Sequence, residues 1–481
     1  MRHADARRVR LSRELRATAL LSAPLVVGQL SSMGMNVVDT VLAGRHGTET
    51  LAAIGVGAPA WSVVILLCIG VLMAVPPTVA QLAGAGRRGE IGPVVRQALW
   101  LALALGLALF VVMRAAPAGL ARFIAPEVMP GVEGFLHGIS WGAPALALYF
   151  CLRYAAEGVA WTVPTMLIGA AGLVLLVPLG WALMDGWGAL PELGAGGLGL
   201  ATAIVLWGQV VAMAATLARS RRCADLRLFE RFDAPDAREI GQLLRLGVPM
   251  GIAIFMEGSL FVATALLIAT LGTIPIAAHQ VAILAASAAF MVPLGVAMGT
   301  TVRVGQAKGA GDAEGVRWAA KAGWIIGVAT QTASAVLLAL GGAWIAALIT
   351  DDPAVIALAA SLMLFAALFQ YTDGLQAISA GALRGLKDTR IPAWITVLSY
   401  WGLGLPTGIV LGGVGAEGGQ RLLIGLGWGP TGYWIGLIVG LSVAAVLLTW
   451  RFLALSSRDL RPVTAGAPAA KVGASSAETL P

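Results

Sequence analysis

The chain has 481 residues, of which 58% are hydrophobic and only 12% are charged. Soluble proteins carry about 25% charged residues, so this composition excludes an ordinary soluble protein and indicates an integral membrane protein. The formal net charge of +7 reflects the Lys and Arg bias of the loops, and it does not indicate a nucleic-acid partner.

Apolar runs long enough to cross a bilayer recur along the whole chain. A run of about 18 or more apolar residues is a candidate helix across roughly 30 Å of hydrocarbon. The runs predict twelve transmembrane helices, near residues 17–43, 50–80, 93–114, 132–152, 162–184, 194–218, 241–269, 275–302, 322–349, 354–383, 391–413 and 429–455.

The distribution of Lys and Arg predicts the orientation of these helices. Loops rich in the two residues alternate with poor ones, and the rich set contains both ends of the chain and the long connection 218–241. The poor set contains only Arg45, Arg114, Arg122 and Arg421. Because cytoplasmic loops carry the excess of Lys and Arg, we expect both termini in the cytoplasm.

The second half of the chain repeats the first. With Pro24 aligned to Pro249, the pattern Val-x-Gln-x-x-Gly-Ala-Gly at 79–86 falls without a gap on the same pattern at 304–311. Each half holds an even number of spans, so the repeat is parallel. We predict an all-α integral membrane protein with two six-helix lobes, which are related by a pseudo-two-fold axis along the membrane normal. The predicted segments are a cytoplasmic N-terminal segment 1–16, a first lobe 17–218, a cytoplasmic linker 219–240, a second lobe 241–456 and a disordered cytoplasmic tail 457–481.

Three carboxylates lie inside the predicted spans: Asp39, Glu257 and Asp373. An ionised carboxylate in hydrocarbon costs at least about 2.5–3.5 kcal/mol, so such residues usually face an internal cavity and serve a function. Glu257 and Asp373, with a neighbouring hydroxyl and amide, would form an oxygen site for Na⁺ or a pair of buried acids for H⁺. The alternative is that each carboxylate only hydrogen-bonds or packs against a neighbouring helix.

Several segments resemble one transporter family. Residues 36–44 (Asn-Val-Val-Asp-Thr-Val-Leu-Ala-Gly), 277–282, 380–385 and 79–82 resemble the multidrug and toxic-compound extrusion (MATE) family, and 191–194 (Pro-Glu-Leu-Gly) resembles its NorM branch. The resemblance implies a V-shaped cavity between two lobes in the bacterial inner membrane. It implies export of small amphiphilic cationic drugs or dyes in exchange for Na⁺ or H⁺, by a monomer that needs no cofactor and is not an enzyme.

The resemblance also implies roles for individual residues. Relatives bind the coupling cation at the positions of Glu257 and Asp373, and the residue matching Asp39 responds to protons. Relatives have a tyrosine where this chain has Phe369, and Tyr371 lies two positions further on. The fifth span also lacks the family's asparagines, which favours a proton role for Asp39. Candidates for the cavity lining are Gln29, Met33, Asn36, Phe255, Gln280 and Tyr371.

Other polar residues of the spans receive simpler interpretations. Glu157 is expected at the membrane interface, and Arg303 and Arg384 are expected to anchor the cytoplasmic ends of their helices by snorkelling. A lipid-linked precursor flippase of the same wider superfamily is the alternative function, and it would favour a cationic cavity. An intramembrane enzyme would need converging His, Asp or Ser side chains, and the four histidines suggest no such pairing.

Overall fold

The structure, a computed structural model, describes residues 2–187, 191–414 and 425–457, with side chains from Arg8 onward. It is built from helices: α1 (Arg2–His46), α2 (Thr48–Leu72), α3 (Val75–Gly84), α4 (Ile91–Leu120), α5 (Met129–Ser140), α6 (Ala143–Gly158), α7 (Val163–Met184), α8 (Gly194–Arg219), α9 (Ala237–Ala269), α10 (Thr273–Gly309), α11 (Ala313–Ala347), α12 (Pro353–Gly385), α13 (Arg390–Val397), a π-helical turn (Leu398–Gly404), α14 (Leu405–Gly412) and α15 (Pro430–Ser457).

The helices confirm the predicted membrane spans. Eleven helical segments of the described residues are long and apolar enough to cross a membrane, and the bent pair α5–α6 supplies a twelfth. Three spans are interrupted, between α2 and α3, between α5 and α6, and at the π-helical turn. A proline follows each interruption within a few residues, at Pro76, Pro144 and Pro406, because a proline cannot donate the backbone hydrogen bond that would continue the helix.

The twelve spans form the two predicted lobes. In the first lobe α5 and α7 pack on α8, α4 packs on α6, and α1 packs on α7. In the second lobe α12 is central, packed against α10, α11 and α15. Each lobe has its own buried apolar core, and the larger members of the second core are Phe369, Tyr400 and Trp434.

The lobes meet near one end of the bundle, where α1 begins and α3, α8, α10 and α12 end. We call this the basic end, since it carries the loops rich in Lys and Arg. A Cβ on Gly84 would lie 2.0 Å from the carbonyl oxygen of Gln306, and a Cβ on Gly309 would lie 2.0 Å from that of Gln81. The sequence repeat aligns Gly84 with Gly309 and Gln81 with Gln306. Each contact is therefore the counterpart of the other, and the two lie around the local two-fold axis. We call this pair of contacts the glycine seam.

The connection between the lobes is fixed to the first lobe. Asp233 accepts a hydrogen bond from Arg96 on α4, and Gln97 both donates to Ala234 O and accepts from Asp236 N. In addition, Arg88 forms an ion pair with Asp225 that holds the pKa of Asp225 below its ordinary value. The N-terminal residues from Arg2 are the first turns of α1 itself, and the predicted tail lies outside the described residues after Ser457.

Candidate functional site

The structure brings Glu257 and Asp373 together inside the second lobe. Glu257 lies midway along α9 and is partly buried, whereas Asp373 on α12 is only 3% exposed. The two carboxylates are close enough to act electrostatically on each other. Two adjacent carboxylates inside a helical lobe repel each other unless a cation or a proton is shared between them.

Tyr400 and Gln376 complete this group, which we call the carboxylate cluster. Gln376 lies one turn after Asp373 on the same face of α12. Tyr400 is fully buried, and both carboxylates act electrostatically on its phenolic oxygen. It sits in the π-helical turn Leu398–Gly404, an irregularity that is rare and is frequently found at functional sites.

The cluster contains more buried oxygen atoms than the protein satisfies. Asp373 Oδ1, Gln376 Oε1 and Tyr400 Oη are all buried without a hydrogen-bond partner among the described residues. Buried polar atoms are nearly always paired, so a group of orphans calls for a specific explanation. Carboxylate, amide and hydroxyl oxygens are ligands for a hard cation, and the carboxylates can instead carry protons.

A hydrogen-bond network fixes the turn of α12 that precedes Asp373. Gln331 on α11 donates to both the carbonyl and the side-chain oxygen of Gln370, at 2.8 and 2.9 Å. Gln370 in turn donates to the carbonyl of Ala286 on α10 (3.1 Å). Two neighbouring helices, α10 and α11, therefore hold one turn of α12, and Asp373 lies on the turn that follows.

Phe369 carries no polar group, so it contributes neither a ligand nor a hydrogen bond to the carboxylate cluster. It is 2% exposed and packs edge to face against Phe261 and Trp434. Tyr371 faces α11, where its hydroxyl donates to Thr332 Oγ1 (3.1 Å). The tyrosine of the cluster is thus Tyr400, from a different span.

The expectation that Arg384 snorkels to the surface is wrong, whereas Arg303 is partly exposed at the basic end. Arg384 points between the lobes, where one Nη atom lies 3.7 Å from the sulfur of Met73 in the first lobe. Its charge acts on Glu257 and on Tyr154 of α6. Arg303 pairs with Glu14 at 2.7 Å. Arg384 therefore lies inside the protein, while Arg303 combines an ion pair with partial exposure to solvent.

Asp39 lies apart from the carboxylate cluster, in the first lobe. It is 6% exposed, and its Oδ1 has no hydrogen-bond partner among the described residues. Its neighbours Met35 and Val38 pack against α7 and α8. The structure thus separates Asp39 in the first lobe from Glu257 and Asp373 in the second, and Asp39 forms no ion pair among the described residues.

Glu157 is buried rather than interfacial. Its side chain is 1% exposed and accepts a hydrogen bond from Arg153 Nε at 2.7 Å. The same guanidinium donates to Gln29 Oε1 on α1 (2.8 Å). Gln29, a candidate for the cavity lining, therefore joins α1 to α6. The position of Glu157 near a predicted span end gave no sign of this pair, but the spacing Arg-x-x-x-Glu is that of a helical ion pair.

The other candidate lining residues lie on partly open faces of their helices. Asn36, Gln280 and Phe255 are exposed, and Met33 is half-buried. Sequence reasoning missed Tyr400, Gln376 and Arg384 as members of the site. A signal for Tyr400 exists, since it is a rare hydroxyl-bearing aromatic inside an apolar span.

The chain was compared with known protein families and sequences. Residues 24–182 and 249–410 both match the MatE family, and the matched stretches begin at the two prolines that the internal repeat aligns. "Probable multidrug resistance protein NorM" of Xanthomonas campestris pv. campestris is 51% identical, over 95% of this chain and 97% of that protein. "Multidrug resistance protein PmpM" of Pseudomonas aeruginosa is 40% identical, over 95% of this chain and 94% of that protein.

The fold was compared with solved structures. One reported as an outward-facing conformation of a multidrug resistance MATE family transporter of the MOP superfamily superposes with a TM-score of 0.82. The match covers 92% of this chain and 96% of that chain at 20% sequence identity. At this identity the likeness shows the shared two-lobe fold.

Proposed function

Because the chain belongs to the MatE family, we propose that it is a secondary active multidrug efflux antiporter of the bacterial inner membrane. It exports amphiphilic organic cations in exchange for Na⁺ or H⁺, and it acts without a cofactor or covalent chemistry. The relatives at 40–51% identity are named as multidrug resistance proteins, which supports the substrate class.

The observation that carries this proposal is the carboxylate cluster. Two acids inside one lobe act on each other electrostatically, and buried oxygens of Gln376 and Tyr400 without a hydrogen-bond partner among the described residues belong to the same cluster. Such a site lowers its free energy when it takes up a cation or a proton. A site with only a structural role would not require this uptake. Coupling follows when the lobe prefers one orientation while the site is occupied and the other while it is empty.

The charge of the cluster argues against the flippase alternative. A lipid-linked phosphate would need a cationic cavity, whereas the site is built around two acids, Glu257 and Asp373, with the charge of Arg384 acting on Glu257. An acidic site favours uptake of cations or protons over binding of a phosphate.

Orientation supports export. If the basic end is cytoplasmic, as the Lys and Arg bias favours, then the glycine seam closes the cytoplasmic side, and any cleft between the lobes would open outward. Rocking of the lobes about the local two-fold axis would open the opposite path. Both termini, and the connection anchored on α4, are then cytoplasmic.

The test is transport in proteoliposomes. Ethidium efflux is measured with a Na⁺ gradient and with a H⁺ gradient imposed separately, for the wild type, Glu257→Gln and Asp373→Asn. Neutralisation keeps the size of each side chain and removes its charge, so both variants should lose gradient-driven efflux at unchanged expression. Asp388→Asn is the matched control, because Asp388 pairs with Arg451 at the basic end, outside the cluster. Wild-type rates in both cluster variants would refute the assignment.

A further inference from the structure

The first turns of α1 cross from the first lobe to the second and are held there by ion pairs. Glu14 Oε2 lies 2.7 Å from Arg303 Nη2 on α10. Arg10 contacts Asp312 (2.7 Å) and Glu314 (2.8 Å) at the start of α11. Two basic and three acidic side chains thus join the lobes at the basic end.

These pairs differ from the other ion pairs of the same end in what they connect. Arg88–Asp225 and Arg96–Asp233 lie within the first lobe and its connection, and Arg451–Asp388 lies within the second lobe. Among the ion pairs of the described residues, only those of Glu14 and Arg10 join one lobe to the other. Their breaking and forming can therefore report on the position of the lobes.

Partial burial gives the Glu14–Arg303 pair more weight than a pair on the open surface. The Glu14 side chain is 7% exposed and that of Arg303 is 27% exposed, whereas surface pairs in water contribute little. If one partner of a buried pair is removed, the other charge is left uncompensated, and this is strongly destabilising for the state that buries it.

The pair is also continuous with the glycine seam. The second Nη atom of Arg303 donates to Gln306 Oε1 (3.3 Å), and the carbonyl of the same Gln306 faces Gly84 across the seam. Next to them, Gln81 donates to the carbonyl of Gly385 (2.9 Å). Separation of the lobes at the seam would therefore pull Arg303 away from Glu14.

A solvent pocket reaches these groups. A cavity of about 370 Å³ is lined by Glu14, Arg303, Gln306, Asp312 and Gly84, with Arg13 and Arg88 at its wall. Water can therefore solvate the two charges when they separate, so opening does not leave either charge uncompensated in the interior.

We propose that Glu14–Arg303, with Arg10 on Asp312 and Glu314, forms an ionic latch that holds the lobes together at the basic end and opens in every transport cycle. The inference rests on the proposed function in one respect, namely that the lobes rock to give alternating access. The latch assigns a role to the start of α1, which the carboxylate cluster does not explain.

The test measures lobe separation directly. Spin labels are placed at two exposed residues of the basic end, Gly89 of the first lobe and Lys321 of the second, after replacement of the three buried native cysteines. Distances are measured by pulsed electron spin resonance in nanodiscs. Glu14→Gln and Arg303→Gln should each raise the population with a longer distance at least about tenfold, and the charge swap Glu14→Arg with Arg303→Glu should restore the short distance.

The control is Asp388→Asn, which breaks an ion pair of the same end within one lobe and should leave the distances unchanged. Unchanged distances in both latch variants would overturn the proposal, and so would an equal shift in the control. Failure of the latch is separable from failure of the proposed function, because the distances need neither drug nor gradient. Ethidium efflux by the labelled wild type tests the second point independently.

Discussion

The glycine seam gives the sharpest quantitative prediction. Gly84→Ala would put a Cβ 2.0 Å from Gln306 O, whereas carbon and oxygen normally approach no closer than about 3.3 Å. The atom in the way is backbone, which cannot rotate aside, so the lobes must separate locally by more than about 1 Å. Overpacking of this kind typically costs about 1–3 kcal/mol, which corresponds to a shift of about 5- to 150-fold in a two-state equilibrium.

The local two-fold axis makes the prediction specific. Gly309→Ala meets the same obstruction at the same 2.0 Å, from Gln81 O, so the two variants should shift the lobe equilibrium by similar amounts. The double variant should shift the free energy of the lobe equilibrium by less than the sum of the two single shifts, because one separation of the lobes relieves both contacts.

The assay is the spin-label distance across the basic end, together with thermal unfolding of the purified protein in detergent. Gly241→Ala is the control, since a Cβ there meets nothing within 4 Å and alanine favours a helix by up to about 1 kcal/mol over glycine. The control should melt at or above the wild-type temperature, while both seam variants open at the basic end. Wild-type distances and melting in both seam variants would refute the close packing on which the reasoning depends.

Three further predictions concern the cluster, the topology and the first lobe. Tyr400→Phe removes one buried oxygen and should weaken cation-dependent efflux by about five- to tenfold without loss of expression; equal efflux would exclude the hydroxyl from the site. A cysteine at Ser220, in a background without the native three, should react with a membrane-impermeant thiol reagent only after cells are permeabilised, and labelling from outside would reverse the orientation. Asp39→Asn should weaken drug affinity and remove most of its dependence on pH between about 6 and 8, and identical affinity curves for variant and wild type would make Asp39 a packing residue.

The spans could be predicted from sequence because hydrocarbon imposes one simple condition on twelve segments: each must be apolar over its full length. The interruptions of these spans could not be predicted in the same way. Pro76, Pro144 and Pro406 mark them, but Pro24 and Pro249 lie within continuous helices. Whether a proline breaks a helix depends on whether neighbouring groups satisfy the freed carbonyl, and those neighbours come from other spans.

The two acids of the site could be predicted from the sequence, whereas its other members could not. Glu257 and Asp373 stand out because an ionised carboxylate raises the free energy of any apolar span. Tyr400 gave only a weak signal, as a hydroxyl-bearing aromatic in an apolar span, because a tyrosine in such a span can equally be a packing residue. Glu157 and Arg384 were misjudged because distance along the chain from a loop is a poor guide to burial where helices are long, tilted or broken.

A single rigid helix joins the carboxylate cluster to the place where the lobes meet. Asp373 and Gly385 lie on α12, about 18 Å apart at 1.5 Å per residue, and the carbonyl of Gly385 accepts the hydrogen bond from Gln81 of the first lobe. Thr301 on α10 donates to Gly381 O of α12 (2.8 Å), so α10 and α12 move together at this end. If Asp373 takes up a cation as proposed, a displacement of α12 would be carried to the seam without a chain of side-chain rearrangements. Under the proposed rocking of the lobes, the seam would be the element with two arrangements, closed as in this structure or open, which is the physical requirement for coupling between distant sites.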